Sequence, residues 1–199
     1  PHKLKLSMSD SFKELFSNKK VFYFLLAYWV YIDGVDTIIR MAVNYGLTLG
    51  FNQYDLLMAL LIVQFVSFPG TLIINALAYR LSTEIGIIIC IVIYFAISVF
   101  ASLINSLASF YAIAIFIGLV QGGIQALSRS YFAGIMPKSR DSEYFGIYNM
   151  LGKFAALIGP LLVGLVTFFS DNSRIGILSI SLLFIIGLYL MIKVNKFPK

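Results

Sequence analysis

The sequence predicts an all-α membrane protein with six transmembrane helices. Hydrophobic residues make up 60% of its 199 residues and charged residues only 12%, whereas soluble domains are about half apolar and about a quarter charged. A helix needs roughly 20 mostly apolar residues to cross the hydrocarbon core of a bilayer. The chain after residue 20 contains six such runs with short polar connectors, which leaves little room for a soluble domain.

These apolar runs also predict the domain organisation. We expect a basic, amphipathic cytoplasmic segment or linker end at 1–20, a six-helix transmembrane domain at 21–193, and a cytoplasmic tail at 194–199. In the first segment, a capping-box pattern from Ser11 to Glu14 favours a short helix on the membrane surface, and a solvated basic tail is the alternative. The predicted spans are Val21–Tyr45, Tyr54–Leu77, Ile85–Ile104, Ala108–Tyr131, Tyr144–Phe169 and Ile175–Lys193.

The basic residues predict the topology. The net charge is +6, but the cations lie at helix ends rather than along a stripe with interleaved aromatic residues, which argues against nucleic acid as a partner. Basic residues accumulate on the cytoplasmic side of membranes. Only Arg174 is clearly on the opposite side, so both termini are expected in the cytoplasm, and in a bacterium the membrane would be the inner one. The cytoplasmic group comprises Lys3, Lys5, Lys13, Lys19, Lys20, Arg80, Arg129, Lys138, Arg140, Lys193, Lys196 and Lys199.

Polar residues are shared unevenly among the spans. The third and sixth spans have no ionisable residue in their central parts, so we expect them to face lipid. Because a charged group in hydrocarbon is costly, the other four should surround a protein interior or a cavity. Their polar residues are Asp33, Asp36, Arg40 and Asn44 in the first span, Gln64 and Asn75 in the second, Gln121 and Gln125 in the fourth, and Asn149 and Lys153 in the fifth.

Four local motifs, in this order along the chain, resemble one known family. They are YIDGVDTII from Tyr31, QFVSFPG from Gln64, QGGIQALSRS from Gln121, and EYFGIYN from Glu143, which continues through Gly152-Lys153-Phe154 to Gly159-Pro160. Together they resemble the C-terminal half of a major facilitator superfamily transporter, in the branch of the fungal autophagy-related vacuolar effluxers and their bacterial relatives. The resemblance covers about 21–193. It implies a half-bundle of two three-helix repeats and secondary transport, with amino-acid efflux proposed for the fungal members.

One part of the superfamily pattern is changed here. The loop after the second span of a half usually reads Gly-x-Leu-Ala-Asp-Arg-x-Gly, and this chain has NALAYRLS from Asn75. Arg80 is kept, but Asn75 and Tyr79 replace the first Gly and the Asp. Arg80 alone cannot form the charge latch associated with this loop.

The resemblance also implies a partner half. In complete members of the superfamily the central pathway runs between two six-helix halves. The chain begins at Pro1, and its first twenty residues fit the end of a linker between halves. We therefore expect an N-terminal six-helix half outside this sequence and a cavity face that the present half leaves uncovered.

The first span carries the strongest candidate charges. Asp33 lies about 12 residues into the span, near the middle of a bilayer at about 1.5 Å per residue. We expect Asp36 and Arg40, four residues apart, to form an ion pair. Asp33 would then lack a cation and tend to bind a proton, because burial disfavours its charged form. Asp33 is thus a candidate proton-coupling or substrate-amine site, and a static Asp-Arg network is the alternative.

Lys153 is the candidate cation of the fifth span. It lies about nine residues into the span, too deep for its side chain to reach the surface easily. We expect it to pair with Asp33 or Asp36, or to bind a substrate carboxylate.

Amides and glycines complete the candidate site. Gln121 and Gln125 are four residues apart on the fourth span and are expected to form a polar wall of the solute path or, alternatively, a helix contact. Gln64 and Asn149 are assigned to the same path. A flexible or kinked fifth span, or close helix packing, would explain Gly146, Gly152, Gly159 and Pro160.

Other functional classes lack their sequence motifs. The chain has no Gly-x-x-x-x-Gly-Lys-Ser/Thr phosphate loop, and His2 and Cys90 are its only histidine and cysteine, which argues against metal and enzyme sites. We predict half of a secondary transporter that moves a small solute across the lipid bilayer by alternating access, without cofactor, metal or enzymatic activity. The alternative is a non-transporting membrane module that assembles with a partner or with itself.

Overall fold

The computed structural model describes residues 15–137 and 141–197. Within this part of the chain, six helical segments are long and apolar enough to cross a membrane: Lys19–Thr48, Gln53–Arg80, Thr83–Ser102, Leu107–Ile135, Asp141–Ser170 and Ser173–Val194. The prediction of an all-α fold with six spans is confirmed, and the span ends agree within a few residues. The Ser11–Glu14 capping box, the connector at 138–140 and the lysines at 3, 5, 13 and 199 lie outside the described residues.

The first four spans are single helices, and the last two are interrupted. The single helices are α1 (Lys19–Thr48), α2 (Gln53–Arg80), α3 (Thr83–Ser102) and α4 (Leu107–Ile135). The fifth span consists of α5 (Asp141–Ala155) and α6 (Ile158–Ser170), and the sixth of α7 (Ser173–Ser179) and α8 (Ser181–Val194).

The break in the fifth span has a local cause. Pro160 has no backbone N–H and cannot donate to the carbonyl of Ala156, four residues earlier. The N–H of Leu157 donates to the carbonyl of Ala155 at 2.8 Å, which tightens the chain between the two helices. The predicted kink is therefore a break at residues 156–157, while the break at Ile180 in the sixth span was not predicted.

The closest packing in the bundle is between α2 and α4. Glycines make this approach possible, because an added Cβ at Gly70 would lie 2.6 Å from the backbone oxygen of Leu119. On α4, a Cβ at Gly118 would lie 2.9 Å from the backbone oxygen of Val63, and one at Gly123 would lie 2.5 Å from a methyl carbon of Ile74. The second major contact joins α1 to α8, and α3 packs against both α4 and α8.

Burial is uneven among the spans. In the most apolar part of the first span, 61% of the residues are buried. The corresponding share is only 22% in the second span and 17% in the fifth. Large apolar side chains are therefore exposed on the second and fifth spans, such as Phe65, Phe68, Phe168 and Phe169. The third and sixth spans contact each other and also leave apolar side chains exposed, including Val92 and Ile185. Their contact with lipid stays a prediction.

The α2–α4 contact yields a stability prediction. We expect Gly70→Ala to lower the free energy of unfolding by about 1–3 kcal/mol, because the new methyl group meets backbone atoms that cannot rotate away. Thermal unfolding of the purified protein in detergent micelles would measure this change. The control is Gly164→Ala on α6, where an added Cβ meets nothing within 4 Å. An unchanged melting temperature for Gly70→Ala would contradict the close contact.

Candidate functional site

An open cleft of about 740 Å³ lies between α1, α4 and α5. Each helix contributes two polar side chains four residues apart, which therefore lie one above the other on one helix face. These pairs are Asp36 and Arg40 on α1, Gln125 and Arg129 on α4, and Asn149 and Lys153 on α5. The cleft thus combines three cations with one carboxylate and two amides.

The expected ion pairs are not formed on this cleft. Among the described residues, neither Arg40 nor Lys153 has a nitrogen within 4.0 Å of a carboxylate oxygen of Asp36 or Asp33. Both cationic side chains are exposed, whereas Asp36 is half-buried. The physical reason is the open cleft, where water solvates the cations and a direct contact adds little. Their charges remain available to a bound solute.

Aromatic rings form one side of the cleft. The rings of Tyr28 on α1 and Tyr148 on α5 are stacked with centroids 4.2 Å apart, and Tyr148 is in turn stacked on Phe132 at 5.0 Å. The guanidinium of Arg129 lies 5.3 Å from the ring centroid of Phe145. Sequence reasoning missed Tyr28 and Tyr148 as site residues, because no spacing within one helix indicates a stack between two helices. It also treated Arg129 as a topology signal alone.

The structure brings together five of the eight predicted path residues: Asp36, Arg40, Gln125, Asn149 and Lys153. The other three do not line this cleft. Asp33 is only 2% exposed and lies against Gly159 of α6, Gln121 is half-buried, and Gln64 is exposed on α2.

The remaining predicted residues are spread along the bundle. Arg80 is exposed at the end of α2. Gly152 lines the cleft, and an added Cβ there would lie 2.7 Å from the hydroxyl of Tyr28. Gly159 and Pro160 lie in the first turn of α6, next to the break. Gly146 has open space around it, so packing does not explain this glycine.

Comparison with known proteins decides the family. A family model described as "Vacuole effluxer Atg22 like" matches residues 6–197. The chain belongs to the Atg22-like family. It is 39% identical over 184 residues to the uncharacterized MFS-type transporter YxiO of Bacillus subtilis (strain 168), an alignment that covers 92% of this chain. Autophagy-related protein 22 of Vanderwaltozyma polyspora is 42% identical over 53 residues, which is 27% of this chain and 10% of that protein.

The Atg22-like chain is shorter than these relatives. It spans 43% of the length of the Bacillus transporter. The predicted family resemblance is confirmed, and the relatives' names describe transporters and effluxers rather than enzymes.

A buried hydrogen bond holds two walls of the Atg22-like cleft together. The hydroxyls of Tyr31 on α1 and Ser128 on α4 are 2.6 Å apart. Ser128 donates its own proton to the carbonyl of Ile124, so Tyr31 is the donor between the helices. Both side chains are fully buried, and water cannot replace the bond.

We expect Tyr31→Phe to destabilise the protein by about 1 kcal/mol, the net value of one such hydrogen bond. The melting temperature in detergent should fall by a few degrees, while the fold is retained. The matched control is Tyr79→Phe, since Tyr79 is 95% exposed. Equal effects of the two substitutions would show that the bond does not fix α1 against α4.

Proposed function

We propose that this chain is one half of a secondary active transporter that moves small solutes by alternating access. The observation that carries the proposal is the convergence of polar pairs from three membrane-spanning segments on one open cleft. Charged side chains in the middle of a span are costly unless they face water or a polar partner. A cleft with three cations, none of which forms an ion pair among the described residues, is therefore suited to contain water and solute, and membership of a family of effluxers supports this interpretation.

The uncovered faces support the proposal of a second half. The second and fifth spans are the least buried of the bundle, and the Bacillus relative is more than twice as long as the matched region. We infer that an N-terminal six-helix half covers these two spans and closes the open side of the cleft, with both termini of this half in the cytoplasm.

The charges of the cleft favour amino acids as solutes. A zwitterion has a carboxylate, which suits Arg40 or Lys153, and an ammonium group, which suits Asp36. The three cations outnumber the carboxylate, so acidic amino acids are included in this class.

Flux through proteoliposomes tests the function. The chain alone would be compared with the same chain joined to the segment that precedes it in its gene, using a panel of labelled amino acids. We expect solute flux only from the longer protein, because the proposed solute pathway runs between two six-helix halves. Flux from the chain alone would indicate a half that assembles with itself. Absence of solute flux from both proteins, when each is shown to be folded, would favour a non-transporting module.

Lys153→Gln tests the cleft itself in the longer protein. We expect the solute concentration for half-maximal flux to rise about tenfold or more, because one charge-assisted hydrogen bond to the solute carboxylate is lost. Lys196→Gln is the control, as Lys196 is an exposed lysine outside the spans. Flux assays over a range of solute concentrations would show the difference. Unchanged half-saturation in Lys153→Gln would remove Lys153 from the binding site.

A further inference from the structure

The second half of the fifth span begins without a cap of its own. The N-cap residue of α6 is Leu157, and its apolar side chain cannot accept a hydrogen bond from the first turn of the helix. The first N–H groups of a helix have no partners within it, and the helix dipole makes this end partly positive. An uncapped helix start inside a membrane protein needs acceptors from elsewhere in the bundle.

Two side chains of α1 lie at this start. Asp33 and Thr37 are four residues apart, and their exposed fractions are 2% and 0%. An added Cβ at Gly159 would overlap the hydroxyl of Thr37 and lie 3.1 Å from Oδ1 of Asp33. Among the described residues, neither Oδ1 of Asp33 nor Oγ1 of Thr37 has a hydrogen-bond partner. Unpartnered buried oxygens are uncommon, because burial removes their hydrogen bonds to water without replacing them.

No cation compensates the buried carboxylate. Among the described residues none forms an ion pair with Asp33, and the nearest charged neighbour along the helix is Asp36, whose charge is of the same sign. α6 has no ionisable side chain, and those of α7 and α8 lie towards the span ends. The ionisable groups on the cleft side and on the neighbouring helices include Tyr28, Tyr31, Asp36 and Arg40 on α1, Cys90 and Tyr94 on α3, Arg129 on α4, and Tyr148 and Lys153 on α5.

We propose that Asp33 is a proton-binding site whose charge holds α6 in place, with Thr37 as a hydrogen-bond donor to the charged form. The inference rests on the proposed transport function. With Asp33 charged, the carboxylate is attracted to the N–H groups at the start of α6. When a proton adds to the carboxylate, no other covalent bond forms or breaks, and the attraction of Asp33 to the start of α6 and to the hydroxyl of Thr37 weakens. α6 can then move about the break at residues 156–157.

Two alternatives for Asp33 fit the structure less well. A substrate ammonium group would need access, but Asp33 is buried and does not line the cleft. A metal cation would need several ligands, and the described residues include no group of three or more His, Cys, Asp or Glu side chains that could hold one. A proton needs only one acceptor oxygen and no additional space.

The test uses Asp33→Asn in the longer protein that shows flux. Two quantities are measured in proteoliposomes: solute exchange at equal pH on both sides, and solute accumulation driven by an imposed pH gradient. We expect exchange near the wild-type rate and no gradient-driven accumulation, because asparagine keeps the size but cannot carry the proton. Asp171→Asn is the matched carboxylate control, because Asp171 is exposed in the connector after α6, and it should keep its response to the pH gradient.

The outcomes separate this inference from the proposed function. Three results would overturn the proton site. They are gradient-driven accumulation by Asp33→Asn, loss of both exchange and accumulation in folded Asp33→Asn, and wild-type transport that follows a sodium gradient but no pH gradient. Absence of exchange from the wild-type protein would instead overturn the transport proposal.

A second variant covers the case in which Asp33→Asn does not fold. Thr37→Val keeps the shape of the side chain and removes the hydroxyl that donates to charged Asp33. We expect half-maximal gradient-driven accumulation to shift to higher pH, by about threefold to tenfold in proton concentration, since one hydrogen bond to the charged form is lost. An unshifted pH profile in Thr37→Val would contradict the role of Thr37.

Discussion

The structure depends on one constraint: charged and polar side chains in the middle of membrane spans must face protein or water rather than hydrocarbon. The bundle meets this constraint in two ways. Asp36, Arg40 and Lys153 line an open cleft, where water can solvate them. Asp33 is instead enclosed between α1 and α6. The third and sixth spans carry no such groups in their central parts, and they can present apolar side chains outward without cost.

Close packing between α2 and α4 sets the position of the cleft. Gly122 of α4 meets α2 and also lines the cleft, so the same side of the helix that packs on α2 presents Gln125 and Arg129 to the cleft. The hydrogen bond from Tyr31 to Ser128 then fixes α1 against α4 at the level of these residues. These two helices face α5, which packs against α1 and whose other sides are largely exposed. The fifth span is the part of the cleft with the fewest contacts to prevent its movement.

Much of this arrangement could be predicted from the sequence, and the failures share a physical cause. Apolar run lengths located every span, and the residue spacing within one helix correctly placed Asp36 with Arg40 on a common face. Spacing cannot show how deeply a face is buried by another helix. For that reason Asp33 was grouped with the cleft, although it lies buried against Gly159. Gln121 was likewise grouped with Gln125, which alone of the two lines the cleft. The stack of Tyr28 on Tyr148 was missed. The Asp36–Arg40 ion pair was expected from spacing alone, and spacing does not report how open a cleft is to solvent.

The break in the fifth span links the two polar regions. α5 carries Asn149 and Lys153 on the cleft side of the break, and α6 carries Gly159 on the Asp33 side. A rotation at residues 156–157 would therefore change the distance between the solute-facing groups and the buried carboxylate in a single movement. An unbroken helix could not do this, because its backbone hydrogen bonds would transmit any displacement along the whole span. Pro160 and the small Gly159 permit both the break and the close approach of Asp33 and Thr37. The same short sequence thus supplies the hinge and the surface on which the charge of Asp33 can act.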